Sequence, residues 1–272
     1  MPTRASQTFA SAARAASYDW AVFEAEVLHV QGTHSARPAP VHGALRSVHA
    51  MLHSQTLRRI HATPGAFDGE RAVIAELRQQ PQRLELITLH RTYSEGLALK
   101  QLLSSAQVRK TLNCPADLVP QPELSWGAAL ALVVLLPEQR VLAGQRASHL
   151  LVDPGQWCCA FTEVLEPGDV PGGNMRPVLD RLIAEELPAF AQLGTPRFVG
   201  LVRWRQTWGW SLVGVLDLRN EPAHAVRQAL ELLQPDDETQ AWQSLALNDV
   251  PPEMCSDWTE LAQDIARRLP PS

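Results

Sequence analysis

The segment Ala128–Leu136 constrains the fold most, because it reads AALALVVLL and is apolar at every position. A strand with one face in water alternates apolar and polar residues, whereas an unbroken apolar run of this length is typical of a strand buried on both faces. The residues PEQR follow as a turn, and 141–145 is predicted to be the hairpin partner.

Length and composition predict a globular chain with more than one part. The 272 residues are 45% hydrophobic and 19% charged, which is sufficient for a sizeable core. Residues 1–17 are rich in Ala, Ser and Arg and contain no acid, so we expect either a transit-like segment or a frayed, flexible lead-in. The three prolines in 111–124 indicate a linker between an N-terminal α/β domain, 18–124, and a second domain, 125–272.

Charge and cysteine content argue against several classes of protein. A net charge of −5 disfavours a nonspecific nucleic-acid binder, which is usually basic. The sequence has no run of about 18 apolar residues, so no membrane span is expected. The four cysteines form no CxxC pair, which indicates reduced thiols and a cytoplasmic location.

The remaining periodicity gives a mixed pattern of elements. Residues 18–30 fit a strand, with a short helix as the alternative, and 32–40 is predicted to be a loop. Helices are predicted over 41–60, 69–80, 94–103, 221–233 and 255–269, and strands over 83–90, 156–164, 197–204 and 210–218.

The segment 174–190, NMRPVLDRLIAEELPAF, is predicted to be a helix with an ionisable group on its apolar side. Its apolar residues share one face, and Glu186 projects into the same arc. A carboxylate there costs several kcal/mol unless it is paired. Glu185 lies on the flank, with Arg181 one turn earlier. This arrangement suits a site for a divalent metal or a phosphate. The alternative is a surface helix with one partly buried glutamate. The apolar face is formed by Leu179, Leu182, Ile183, Leu187 and Phe190.

Part of this helix resembles a known signature. RLIAEELPA is similar to the second half of the Nudix box, G-x5-E-x7-R-E-U-x-E-E-x-G-U with U aliphatic, and Arg181, Ile183, Glu185 and Glu186 occupy matching positions. The preceding GQWCCAFTEVLEPGD resembles the strand and loop that lead into that helix in Nudix proteins. The strand ending in GQR is similar to the opening of many Nudix domains, which implies that Arg146 faces substrate phosphates, with a surface arginine as the alternative.

The resemblance implies an α/β (α+β) fold: a Nudix-like α/β/α sandwich with a mixed sheet, preceded by the smaller α/β N-terminal domain or extension. It implies cleavage of a phosphoanhydride in a nucleoside diphosphate derivative, with Mg²⁺ or Mn²⁺ held by Glu185 and Glu186 and with Arg181 orienting Glu185. The general base would come from Glu163, Glu166, Asp169 or a downstream acid such as Asp217 or Glu221.

A pair of tryptophans is suited to binding a nucleotide-like small molecule. Trp208 and Trp210, flanked by Arg203 and Arg205, can stack a nucleobase, or they can pack across strands. We expect no membrane partner, regard nucleic acid as an unfavoured partner and leave a homodimer open.

Two departures from the Nudix pattern support a different function. Leu182 replaces a family glutamate and Pro188 replaces the closing glycine. The alternative is therefore a degenerate Nudix-like domain that binds a nucleotide or a partner without hydrolysis. An accidental match within an ordinary α+β protein is the third possibility.

Overall fold

The computed structural model describes residues 17–63, 66–112, 118–159, 161–170, 172–205, 207–251, 254 and 256–270, without the side chain of residue 159. Of the expected lead-in 1–17, all but the last residue lies outside these ranges. Residues 113–117 of the expected linker also lie outside them.

The described residues form a mixed α/β structure with eleven strands and six helices. The strands are β1 (Tyr18–Pro38), β2 (Glu70–Gln80), β3 (Arg83–Thr92), β4 (Ala128–Leu136), β5 (Arg140–Arg146), β6 (Trp157–Cys159), β7 (Phe161–Val164), β8 (Gly173–Asn174), β9 (Arg197–Trp204), β10 (Trp210–Asp217) and β11 (Thr239–Ala246). The helices are α1 (Arg46–Ala62), α2 (Tyr93–Leu103), α3 (Ala106–Thr111), α4 (Arg176–Glu186), α5 (Ala223–Glu231) and α6 (Asp257–Arg268).

These strands form one large mixed sheet. The order is β11-β5-β4-β10-β9-β1-β3-β2, with β6 paired to β5, β7 to β4 and β8 to β1. The pairs β4–β10 and β1–β3 are parallel, and the other pairs are antiparallel. The expectation of a mixed α/β architecture is confirmed at this level.

Strand β4 lies at the centre of two cores, as its apolar run predicts. All of its residues are buried. Its even-numbered residues, such as Leu130, pack with α4 on one face of the sheet. Its odd-numbered residues, such as Val133, pack with α6 on the other face. Helices therefore cover both faces, which explains why no polar residue interrupts the strand.

Helix α4 lies close against the sheet. Leu179 and Ile183 are buried in the core that it shares with β4. A Cβ placed on Gly214 of β10 would lie 2.9 Å from Cδ1 of Leu179, so the side chain of Leu179 packs directly over this glycine. Pro177 falls in the first turn, where no intrahelical N–H bond is lost.

The helix predicted for 69–80 is wrong, because this segment is strand β2. Strand β2 pairs with β3 in a hairpin whose register places Gln80 opposite Arg83. The intervening turn has Gln82 at φ 56°, in the left-handed region that tight hairpin turns use. The pairing with β3 satisfies the backbone of β2 and overrides the helical periodicity of its side chains.

The loop predicted for 32–40 is also wrong over most of its length, because β1 continues to Pro38. The second half of β1 pairs in parallel with β3, and the first half pairs antiparallel with β9. Strand β1 therefore connects the hairpin β2–β3 to the rest of the sheet. The strand predicted for 18–30 and the hairpin β9–β10 are confirmed.

Among the described residues, no helix has the length and apolar character needed to cross a membrane.

Candidate functional site

A large cleft lies between the β2–β3 hairpin, helix α2 and the strands β4 to β7, and its lining extends to residues 256–258 at the start of α6. Its volume is about 1170 Å³. Three residues that the sequence singled out line it, namely Arg146, Glu163 and Glu166. We call it the central cleft; its other lining residues include Phe67, Arg71, Tyr93, Lys100, Trp126 and Glu238.

Strand register explains why Glu163 and Arg146 share one side of the sheet. Glu163 of β7 pairs directly with Leu130 of β4, and directly paired residues project to the same face. Leu130 packs in the core with α4, so Glu163 lies on the α4 face. Arg146 follows the buried Leu142 along β5 by an even number of residues, so it lies on that face too.

Glu163 is the most strongly perturbed carboxyl of the cleft. Its pKa is raised to about 7, first by burial and then by the negative charges of Glu238, Glu186 and other nearby acids. A carboxyl with a pKa near neutrality can both accept and release a proton at physiological pH. Burial of a glutamate among like charges is costly, and such perturbed groups concentrate at functional sites.

Neither Glu186 nor Glu185 lines the central cleft, but Glu186 raises the pKa of Glu163, and Glu185 in turn adds to the rise of the pKa of Glu186. Burial raises the pKa of Glu186, and the charges of Glu238 and Asp236 add to this effect. Glu185 is exposed and accepts a hydrogen bond of 2.8 Å from Arg181, the contact expected from their spacing. The other nitrogen of Arg181 donates to Asp169 at 2.5 Å.

The sequence analysis missed a cationic and aromatic wall of the cleft, formed by Arg71 of β2, Tyr93 and Lys100 of α2, and Trp126 just before β4. The guanidinium carbon of Arg71 lies 3.6 Å from the ring centre of Tyr93 and 5.6 Å from that of Trp126. The Nζ of Lys100 lies 5.1 Å from the same Trp126 ring centre, and it also forms an ion pair with Asp153.

Arg71 keeps its positive charge although it is deeply buried. Burial lowers its pKa to about 10, which leaves it protonated at neutral pH. Its buried Nη1 has no hydrogen-bond partner in the described part of the chain. A buried guanidinium nitrogen without a partner is costly, so Nη1 can bind a further acceptor, although Tyr93, Glu163 and Asp68 already favour the charged form of Arg71.

Tyr93 connects the cationic wall to the acidic group. Burial raises the pKa of Tyr93, the charges of Arg71 and Arg146 oppose this rise, and that of Glu238 adds to it. Arg146 is oriented by its Nε, which donates to the carbonyl of Val152 at 3.1 Å. Positive and negative groups therefore act on the same region of the central cleft.

The two tryptophans predicted to stack on a nucleobase lie outside the central cleft. Trp208 and Trp210 are only 7% and 2% exposed, and neither lines the central cleft. Trp210 packs in the core with α4. Trp208 packs in a smaller apolar cluster, with the guanidinium carbon of Arg203 4.8 Å from its ring centre. The packing alternative describes both tryptophans.

The downstream acids that the sequence offered as a general base, Asp217 and Glu221, lie apart from the acidic group around Glu163. Asp217 forms an ion pair with Arg219 at 2.6 Å. Neither Asp217 nor Glu221 lines the central cleft.

No metal cluster is preformed within the described ranges. These residues contain no group of three or more His, Cys, Asp or Glu side chains arranged to hold a metal ion. The stacked pair His49 and His53 uses ring nitrogens for hydrogen bonds to the carbonyl of Glu95 and the hydroxyl of Ser94. That pair is therefore part of the packing between α1 and α2.

Arg71 of this wall was missed because 69–80 was predicted to be a helix. The signal that could have revealed strand β2 is a pair of short apolar-rich segments, 72–77 and 84–89, on either side of Pro81 and Gln82. Two such runs separated by a short turn indicate a hairpin. Glu238, in the loop before β11, carries no such local signal.

No family model matches the chain, and no curated protein matches it.

Proposed function

We propose that this chain is a Nudix-type hydrolase that binds a nucleoside diphosphate derivative in the central cleft and cleaves its phosphoanhydride with a divalent cation. The observation that carries the proposal is the joint presence of Glu163, Glu238 and the incompletely satisfied Arg71 in one cleft. A phosphate group would supply the acceptors that Arg71 lacks.

The architecture supports the proposed α/β/α sandwich. Helices α4 and α6 lie on opposite faces of the mixed sheet. Helix α4 follows β7 and a short turn, Pro167–Asp169, so the strand, loop and helix of the resemblance occur in the expected order. Glu186 at the end of this helix comes close enough to Glu163 to raise the pKa of that carboxyl.

The donor set suits a hard divalent cation. Glu186 and Glu238 would hold it, because they offer carboxylate oxygens and each raises the pKa of Glu163. Two protein carboxylates are sufficient for Mg²⁺, which usually keeps several waters and takes further oxygens from substrate phosphates. When bound, such an ion polarises a phosphate oxygen and lowers the pKa of a bound water.

The side chains of this chain perform the remaining functions. Arg71 and Arg146 neutralise the charge of the diphosphate, and Tyr93 holds the plane of Arg71 in place by stacking. Glu163 accepts a proton from the attacking water, since its pKa of about 7 places it in a suitable range for a general base.

A specific observation favours the second candidate, nucleotide binding without hydrolysis. Leu182, at the position of a family glutamate, is 3% exposed and packs in the core beneath α4. No carboxylate at that position takes part in the acidic group. In this case the cationic wall would bind the ligand and Glu163 would have no chemical role.

A turnover screen tests the proposal. Purified protein would be incubated with nucleoside diphosphate sugars, dinucleotides, ADP-ribose and nucleoside triphosphates, with Mg²⁺ or Mn²⁺, and the products identified by mass spectrometry. We expect metal-dependent cleavage at a phosphoanhydride. Glu163→Gln should reduce turnover at least 100-fold, because it removes the general base.

The matched control is Glu231→Gln, an exposed residue at the end of α5 that does not line the cleft. It should leave turnover within about twofold of the unmodified protein, as surface substitutions away from a site usually have small effects. Absence of turnover across the panel, in protein shown to be folded, would reject hydrolysis. Thermal shifts with the same compounds would then test the binding alternative.

A further inference from the structure

Phe67 is an exposed aromatic residue at the rim of the central cleft. Its side chain is 69% exposed. Six large apolar side chains are exposed in the described part of the chain, and Phe67 is the one among them that lines the cleft. An exposed phenyl ring is costly in water and gains free energy when a flat apolar surface covers it.

The backbone places Phe67 on the same segment as the phosphate-binding wall. Phe67, Gly69 and Arg71 all line the cleft. Four residues of extended chain span at most about 14 Å, so Phe67 lies within that backbone distance of Arg71. The segment is fixed at its middle, where the carbonyl of Gly69 accepts a 2.8 Å hydrogen bond from the backbone N–H of Tyr93.

The phenyl ring of Phe67 packs against Gly69. A Cβ at position 69 would lie 2.5 Å from Cζ and 2.7 Å from Cε2 of Phe67. The ring therefore lies against the bare backbone of the glycine, and any side chain there would displace it. Gly69 therefore leaves space for the ring at the rim of the cleft.

We propose that Phe67 stacks on the nucleobase of the ligand while Arg71 binds its diphosphate, so that the segment leading into β2 is the base-recognition element of the site. This inference rests on the proposed ligand class and adds the residue that distinguishes a nucleotide from a base-free diphosphate. An aromatic face accepts any base, so Phe67 selects for the presence of a base more than for its identity.

Isothermal titration calorimetry tests this inference with ADP, GDP, CDP, UDP and inorganic pyrophosphate, each in Mg²⁺ and each checked afterwards for breakdown by mass spectrometry. The unmodified protein should bind the nucleotides at least 10-fold more tightly than pyrophosphate. Phe67→Ala should weaken nucleotide binding roughly 5- to 100-fold, the range measured for loss of base–aromatic stacking, and should leave pyrophosphate binding unchanged.

Two further variants separate stacking from general loss of structure. Gly69→Ala keeps the ring but displaces it, so it should weaken nucleotide binding in the same direction as Phe67→Ala. Phe67→Tyr keeps an aromatic face and should restore affinity to within about threefold. The matched control is Val119→Ala, which truncates an apolar side chain that is 60% exposed and lies outside the cleft lining.

The possible outcomes distinguish this inference from the proposed function. Equal loss of nucleotide and pyrophosphate binding in Phe67→Ala, or no loss of either, would overturn the stacking role. If pyrophosphate and nucleotides bind the unmodified protein equally, the base is not recognised, while diphosphate binding by Arg71 stands. If neither probe binds, both the stacking role and the proposed ligand class are rejected.

Discussion

At the scale of single residues, the site depends on groups that are each unfavourable without a ligand. Glu163 is a buried carboxyl whose pKa is raised to about 7, and Arg71 has a buried nitrogen without a partner in the described part of the chain. A folded protein retains such costs where they serve binding or catalysis. Glu186 and Glu238 add negative charge to the same place, which a divalent cation would neutralise.

The structure separates two neighbouring glutamates that the sequence treats as a pair. Glu186 belongs to the acidic group, whereas Glu185 pairs with Arg181. We expect Mg²⁺ at 100-fold above its Kd to raise the Tm of the unmodified protein by roughly 5 °C. Glu186→Gln should remove most of this increase and Glu185→Gln should keep it, as measured by differential scanning calorimetry with and without EDTA.

Either of two results would change this assignment. Equal loss of the Mg²⁺ effect in both variants would show that the two glutamates share the ion, as the motif alone predicts. An unchanged effect in Glu186→Gln would exclude that residue as a ligand.

At the scale of elements, α4 has one position where the Nudix pattern that it resembles conflicts with the fold. Leu182 is 3% exposed and packs among the buried residues between α4 and the sheet. The helix is only three turns long, and its Leu179 side chain packs directly over Gly214 of β10. It has no freedom to rotate a charged residue at 182 into the cleft without exposing its apolar face.

Leu182→Glu is therefore expected to destabilise the protein without creating a metal ligand. Burial of an unpaired carboxylate should reduce the free energy of unfolding by about 3 to 5 kcal/mol. Leu182→Met, which conserves volume, should cost less than about 1.5 kcal/mol. Urea denaturation measures both, and a stable Leu182→Glu protein with increased turnover would show that the helix can present this position to the cleft.

At the scale of the whole molecule, β1 joins the N-terminal hairpin to the central sheet. Its contact with β9 is close at Gly200, where a Cβ would lie 2.3 Å from the carbonyl oxygen of Val22 and 2.6 Å from the ring of Trp20. Because the cleft uses Arg71 from the hairpin and Glu163 from the central sheet, this junction also sets the geometry of the site.

Gly200→Ala should weaken this junction. The obstructing atom at Val22 belongs to the backbone and can move only if the two strands separate, so we expect a loss of about 3 kcal/mol in the free energy of unfolding. Gly43→Ala is the matched control, because a Cβ there meets nothing within 4 Å. Its effect in the same denaturation experiment should stay within about 0.5 kcal/mol. Equal stability of the two variants would show that the strands tolerate a wider separation.

The sequence by itself determined the elements whose patterns are local and strong. The apolar run of β4, the hairpin β9–β10 and the amphipathic helix α4 follow from side-chain periodicity, because each places its own residues on a buried face. Glu163 and Arg146 became candidates through the Nudix resemblance, and both line the central cleft. The division into parts at residue 124 stays a prediction.

Only the tertiary structure decided the elements and contacts that depend on distant partners. Strand β2 has a helical pattern, and it is a strand because β3 satisfies its backbone. Trp208 and Trp210, with arginines nearby, suggest a ligand site in the sequence, but the surrounding apolar residues bury both side chains. Arg71 and Glu163 are near enough for the charge of Glu163 to raise the pKa of Arg71, and the backbone N–H of Ala72 donates to the carbonyl of Leu165 at 2.7 Å beside them. These residues are far apart in the chain, so no local sequence pattern predicts that they lie close together.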